Sequence, residues 1–214
     1  MRVGLITDRF DSDGGGAEWW IARFADFLLA SGHEVHVIAF QHGSPLPGIT
    51  AQLLNGAGNA VDRARTIERA VPGLPAMVLY DGGTGWSGHL FHPHTGSNRL
   101  SLEREIATHV AWRRVRAGIS PRTNWRRLGL ARVERRAVAN AGRIIAVSGR
   151  IESLLARRYG LSAPRLVRVM NGVDTDRFRP ADPAGQHPGT VSAVRCLMVA
   201  HRTRTRLIHP PPLA

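Results

Sequence analysis

The sequence contains no lysine: all 29 of its basic residues are arginines, set against 16 acids, for a formal net charge of +13. It has a single cysteine, Cys196, so an intramolecular disulfide is excluded, and a reducing setting is expected. No run of eighteen apolar residues occurs, which excludes a membrane-spanning helix. Residues 1–7 are too short for the apolar region of a signal peptide, and Asp8 follows at once. The expected location is therefore cytoplasmic. Acids run out early: no glutamate follows Glu152, and no aspartate follows Asp182.

The arginines are unevenly spread. From Arg99 to Arg158 there are fifteen, against four glutamates. Such a region attracts anions, whether phosphorylated substrates, acidic lipid headgroups or nucleic acid. An ordinary solvated face is the other reading. Trp112, Trp125 and the arginines between them suit a phosphorylated lipid acceptor or an anionic membrane surface. Nucleic acid is disfavoured as a partner, since aromatic residues are sparse there and no recognised binding motif is present.

Apolar runs alternate with helical patterns along the chain. Val3–Thr7 reads as a strand buried on both faces. Trp20, Phe24, Phe27 and Leu28 form the apolar stripe of a helix that Gly32 stops, and Val35, Val37 and Ile38 open a second strand. Further strands are expected at Thr50–Leu54, Ala76–Tyr80, Arg143–Val147 and Leu166–Met170. Helices are expected at Asn59–Val71, Leu100–Gly118, Trp125–Ala141 and Arg150–Tyr159, the last capped by Ser148. This is an α/β chain with a Rossmann-like, doubly wound parallel sheet. The expected domain spans residues 1–180. Residues 181–192 read as a proline- and glycine-rich linker, and 193–214 as the opening strand of another α/β unit followed by an irregular basic tail.

Three consecutive glycines, Gly14, Gly15 and Gly16, stand at the first strand-to-helix turn, in "DGGGAEWW". Glycine lets a ligand approach the backbone, and the N–H groups that open the helix face a diphosphate or sugar hydroxyl. A tight turn that binds nothing is the plainer reading. A dinucleotide is disfavoured: Trp19 occupies the third fingerprint glycine, and the second strand ends in Ile38-Ala39-Phe40 without an acid for a ribose. The later G-x-G-x-x-G at Gly83, Gly85 and Gly88 leads to Pro93 rather than into a helix, and is a chance match.

The stretches "GGGAEWWIARFADFLLASGHEVHV", "ERRAVANAGRIIAVSGRIESLLARRYG" and "VMNGVDTDRFRP" together resemble the amino-terminal domain of retaining nucleotide-sugar glycosyltransferases. These are the family-4-like enzymes of the GT-B fold, built from two facing Rossmann-like domains. The loop "DGGTGWSGHLFHPHTGS" is similar to a bacterial branch that glycosylates the lipopolysaccharide inner core and related acceptors, although His89 and Thr95 depart from its pattern. The resemblance implies hexosyl transfer from a nucleotide-sugar to a glycan or glycolipid acceptor, with the acceptor on this domain and the donor largely on the other. No cofactor is implied beyond the nucleotide-sugar co-substrate. The family's donor-site pair of glutamates, eight positions apart, has no counterpart here, so the chain is expected to be truncated and inactive alone.

Within that resemblance, Gly14, Gly15 and Gly16 would face the acceptor or the leaving diphosphate. Asp81, at a strand end, can accept hydrogen bonds from sugar hydroxyls, and His94 can reach a donor hydroxyl or the reacting oxygen. These two are the catalytic candidates; Ser148, Asn171 and Gly172 are further substrate-binding candidates. Asn171-Gly172 serves equally as a plain turn. His89, His92 and His94 do not amount to a zinc site, and no metal is expected.

Overall fold

The computed structural model describes residues 1–14, 16–43, 47–56, 58–94 and 106–172, with residues 97, 102, 104 and 175. Met1–Asn171 is one compact unit; a second begins at Gly172. The expected linker 181–192 and the segment 193–214 lie outside the described residues.

Seven strands form one parallel sheet. In chain order they are β1 (Arg2–Ile6), β3 (Glu34–Ala39), β5 (Ile49–Leu53), β6 (Val78–Asp81), β7 (Leu90–Phe91), β8 (Arg143–Ala146) and β9 (Leu166–Arg168). Their spatial order is β5-β3-β1-β6-β7-β8-β9. The chain runs outward from β1 through β3 to β5, then crosses back to place β6 on the other side of β1. A separate two-stranded parallel pair joins β2 (Arg9–Phe10) to β4 (Gln41–His42).

Helices cover both faces, because the central strands carry apolar side chains on both. Val3, Leu5, Val35 and Val37 pack with Ile21, Ala22, Ala25 and Leu28 of α1 (Gly16–Ala30). Ile6, Ile38 and Leu79 pack with Ile67 of α2 (Ala60–Ala70). Fully burying each such side chain is worth about 1.5–3 kcal/mol. A third cluster places Val133, Ala137 and Val138 of α4 (Pro121–Asn140) and Leu155 of α5 (Gly149–Tyr159) around Ile144, Phe91 and Trp86. The doubly wound expectation holds.

Local departures have local causes. The buried stripe of α1 is turned from the expected one: Phe27 is 64% exposed, while Trp20 and Phe24 lie half-buried beside the core. Small Ala22 and Ala25 let α1 sit close to the sheet, so the aromatic residues flank the contact. The expected helix Leu100–Gly118 is interrupted at Thr108–Val110, and α3 (Ala111–Ile119) restarts without a side-chain cap. Helix α4 begins four residues before Trp125, because Ser120 accepts the Thr123 N–H and Pro121 fills the first turn without needing a donor.

Candidate functional site

The order of strands reverses between β1 and β6, and their carboxyl ends define a crevice, the usual ligand position in an open α/β sheet. The Gly82 N–H donates to the Ile6 carbonyl at 3.0 Å, so β6 is held against β1 up to the crevice floor. Asp81 ends β6 and is completely buried. Its Oδ1 accepts N–H bonds from Gly83, Thr84 and Gly85 at 2.9, 2.9 and 3.1 Å, and Oδ2 accepts a second from Gly85 at 3.1 Å. Burial pushes the carboxyl pKa up, while these N–H donors oppose the rise. The structure thus places Asp81 beneath the loop, with both oxygens taken by the loop's own backbone. Gly88 completes the turn by close approach: a Cβ there would meet the Asp81 Cβ at 2.6 Å and the Leu90 carbonyl oxygen at 2.8 Å.

The loop returns through β7 and delivers His92 and His94 over the crevice. The Tyr80 hydroxyl bonds to His92 Nδ1 and lies 3.4 Å from His94 Nε2. The two imidazole centroids are 4.1 Å apart. Trp20 of α1 closes the group, its ring 4.7 Å from that of His94, 5.1 Å from that of His92 and 6.0 Å from that of Tyr80. Burial lowers the pKa of His92 to about 3, with His94 adding to the effect, and lowers that of His94 as well. Both rings are neutral at pH 7. His94 is only partly buried, so it is the imidazole a ligand can touch.

The other expected residues are placed as follows. Gly14 donates its N–H to the Asp11 carbonyl at 3.3 Å, and a Cβ there would lie 2.7 Å from that of Glu18. Gly16 is the exposed first residue of α1, and Gly15 lies outside the described residues. Ser148 accepts the Ile151 N–H at 3.3 Å as the cap of α5, which Gly160 closes at φ +63°. Asn171 and Gly172 are exposed, beyond β9. His89 is exposed just before β7, and its Nδ1 accepts the Leu79 N–H at 2.9 Å. Among the described residues, no three His, Cys, Asp or Glu side chains converge as metal ligands would.

Sequence reasoning missed Tyr80, His92 and Trp20 as site residues. Tyr80 and Trp20 read as core, and His92 only as a discounted zinc ligand. The pattern His-x-His after a strand ending in Tyr-Asp was the available signal.

A second feature lies on α3 and α4. Residues 106–133 hold seven arginines and no acid. Trp112, Val115, Ile119, Trp125 and Leu128 are all exposed, the last four by 66–75%. His109, Trp112, Arg113, Arg116, Ser120 and Thr123 line a surface groove there. Among the described residues, no helix is long and apolar enough to cross a membrane.

Residues 88–177 match the model of Glycosyltransferase Family 4. No curated protein matches the sequence. Among solved structures, WaaG, a glycosyltransferase involved in lipopolysaccharide biosynthesis, is similar with a TM-score of 0.61 at 14% identity, over 87% of this chain and 48% of WaaG. Sucrose-phosphate synthase from Thermosynechococcus elongatus is similar with a TM-score of 0.55 at 15% identity, over 84% of this chain and 50% of that one. The chain spans about half the length of these two proteins. The family match thus covers part of the chain, residues 88–177, and the likeness of the whole seven-stranded parallel sheet to these two structures shows a shared Rossmann-like α/β fold.

Proposed function

We propose that this chain provides the acceptor side of a retaining glycosyltransferase, which moves a hexosyl group from a nucleotide-sugar to a glycan or glycolipid. The observation that carries the reading is His94: a neutral, partly buried imidazole at the carboxyl ends of β1 and β6, held between Trp20 and His92. A neutral imidazole there suits hydrogen bonding to a reacting hydroxyl, and the half-buried indole suits the apolar face of a sugar. Gly16 opens α1, the helix that carries Trp20, and helix N–H groups there favour a diphosphate. Asp81 serves this site by holding the loop that carries His94. The donor would bind mainly to a second Rossmann-like domain, of which the described residues include no part, and neither metal nor organic cofactor enters the reading.

The similarity to WaaG supports a lipopolysaccharide-type glycolipid as acceptor. The exposed indoles and acid-free arginines of α3 and α4 support a peripheral position on an anionic membrane face, on the cytoplasmic side, where such an acceptor is presented.

Titration of the chain with a lipopolysaccharide-core glycolipid, a nucleotide-sugar and an oligonucleotide, followed by NMR, tests the proposal. Glycolipid should shift the Trp20 and His94 resonances, and His94→Ala should weaken its binding. Salt-sensitive binding of the oligonucleotide, with no response to either sugar compound, would favour a basic non-catalytic module instead.

A further inference from the structure

We infer that Tyr80 is a positioning residue, whose hydroxyl bridges the two imidazoles and holds His94 as the Nε2–H tautomer, with Nδ1 left as its free basic nitrogen. The hydroxyl carries one proton and faces two ring nitrogens, His92 Nδ1 and His94 Nε2. With both rings neutral, the hydroxyl oxygen either accepts from both rings, which also leaves His94 as the Nε2–H tautomer, or bridges them in one of two arrangements that use its own proton. In one, Tyr80 donates to His92 and accepts from His94 Nε2–H. In the other, His92 Nδ1–H donates to Tyr80, which donates to His94 and leaves the His94 proton on Nδ1.

The distances select the first arrangement. Bonds donated by O–H are shorter than those donated by N–H. The contact to His92 is the closer of the two, and that to His94 is 3.4 Å. The hydroxyl proton therefore lies on the His92 side, and His94 must supply the other. The remaining His92 proton then sits on Nε2, which is buried without a hydrogen-bond partner. Its ring stands at 84° to that of Trp20, with centroids 5.1 Å apart, an arrangement in which an N–H can rest on an aromatic face. Trp20 and His92 also hold His94 in place, so tautomer and orientation are set together.

The chemical consequence, that Nδ1 is the nitrogen available to an acceptor hydroxyl, rests on the glycosyl-transfer reading; the tautomer itself does not. Long-range proton–nitrogen correlation on the full 214-residue chain with labelled histidine measures it directly. We expect a protonated Nε2 and a bare Nδ1 for His94, and a shift towards mixed tautomers in Tyr80→Phe, which loses the bridging oxygen. A proton on Nδ1 in the unaltered chain overturns the inference, as does an identical tautomer population in folded Tyr80→Phe. Should that variant not fold, the unaltered chain alone decides. The expected tautomer without any response of His94 to glycolipid upholds the inference and removes the transfer reading.

Discussion

Ser97 donates a hydrogen bond to the Glu134 carboxylate at 2.8 Å, joining the segment after β7 to α4 across 37 residues. Glu134 is 1% exposed, takes a second hydrogen bond from the Tyr159 hydroxyl, and has Arg158 at 3.7 Å. Burial and the adjacent carboxylate push the Tyr159 pKa up to about 12, so this hydroxyl keeps its proton and remains a donor. The carboxylate thus ties the site segment to both α4 and α5. Glu134→Ala removes the acceptor shared by the buried Ser97 and half-buried Tyr159 hydroxyls and opens a space, and should cost about 1–3 kcal/mol. A lower urea midpoint with an unchanged slope would check this; an unchanged midpoint would show that water substitutes for the carboxylate.

Gly88 gives a sharper steric test. The atoms that a Cβ would meet, the Asp81 Cβ and a strand carbonyl, belong to elements that cannot swing aside. Gly88→Ala should destabilise the domain by about 1–3 kcal/mol through overpacking. Gly16→Ala, where a Cβ meets nothing within 4 Å, is the control and should leave the thermal midpoint near that of the parent.

These two sites mark how far the sequence could be read. The apolar runs of β1, β3, β6 and β8 announced themselves because both faces of a central parallel strand are buried. The two-residue strands β2, β4 and β7 are too short to carry any periodicity. Phe27 misled because a helix stripe was judged by residue size, whereas the closest contact is made by Ala22 and Ala25. In the site, His94 and Asp81 stood out because they lie in a glycine- and histidine-rich loop. The partners of Asp81 did not, since backbone N–H donors have no signature in the side-chain sequence. Tyr80 was hidden for a different reason: a tyrosine in an apolar strand reads as core until its hydroxyl is seen to meet two imidazoles.

The histidine pair should make stability fall in mild acid. The folded His92 pKa is depressed to about 3 from an ordinary 6.5, so between these values the unfolded chain binds the extra proton. Its contribution is fully present above about pH 6.5 and is lost as pH falls towards 3, and His94 acts in the same direction. Tyr80, facing both rings, stays protonated throughout, since burial raises its pKa. Buried Asp81 works the other way, because its raised pKa favours the protonated folded state as pH falls. Urea titrations at pH 7 and pH 5 should show a loss that shrinks in His92→Gln. An equal loss in both proteins would assign the acid sensitivity elsewhere.

Helices α3 and α4 should bind anionic vesicles in preference to neutral ones, and the two kinds of side chain there should contribute differently. Arg113, Arg116, Arg122 and Arg126 are exposed, and each is worth about 1 kcal/mol near an anionic surface. That attraction weakens with salt, because counterions screen it over about 8–10 Å near physiological ionic strength. Trp112, Ile119 and Trp125 act by burying apolar area in the interface, which salt does not screen. Replacing the four arginines with Gln should therefore remove most of the preference for anionic vesicles at low salt, leaving weak, salt-insensitive binding. Replacing Trp112 and Trp125 with Ala should lower binding to both vesicle types and leave the charge preference intact. Vesicle co-sedimentation at two salt concentrations separates these outcomes. Equal binding of the parent chain to neutral and anionic vesicles would mean that the arginines are ordinary solvated surface, and the peripheral membrane reading would fall while the crevice at His94 stood.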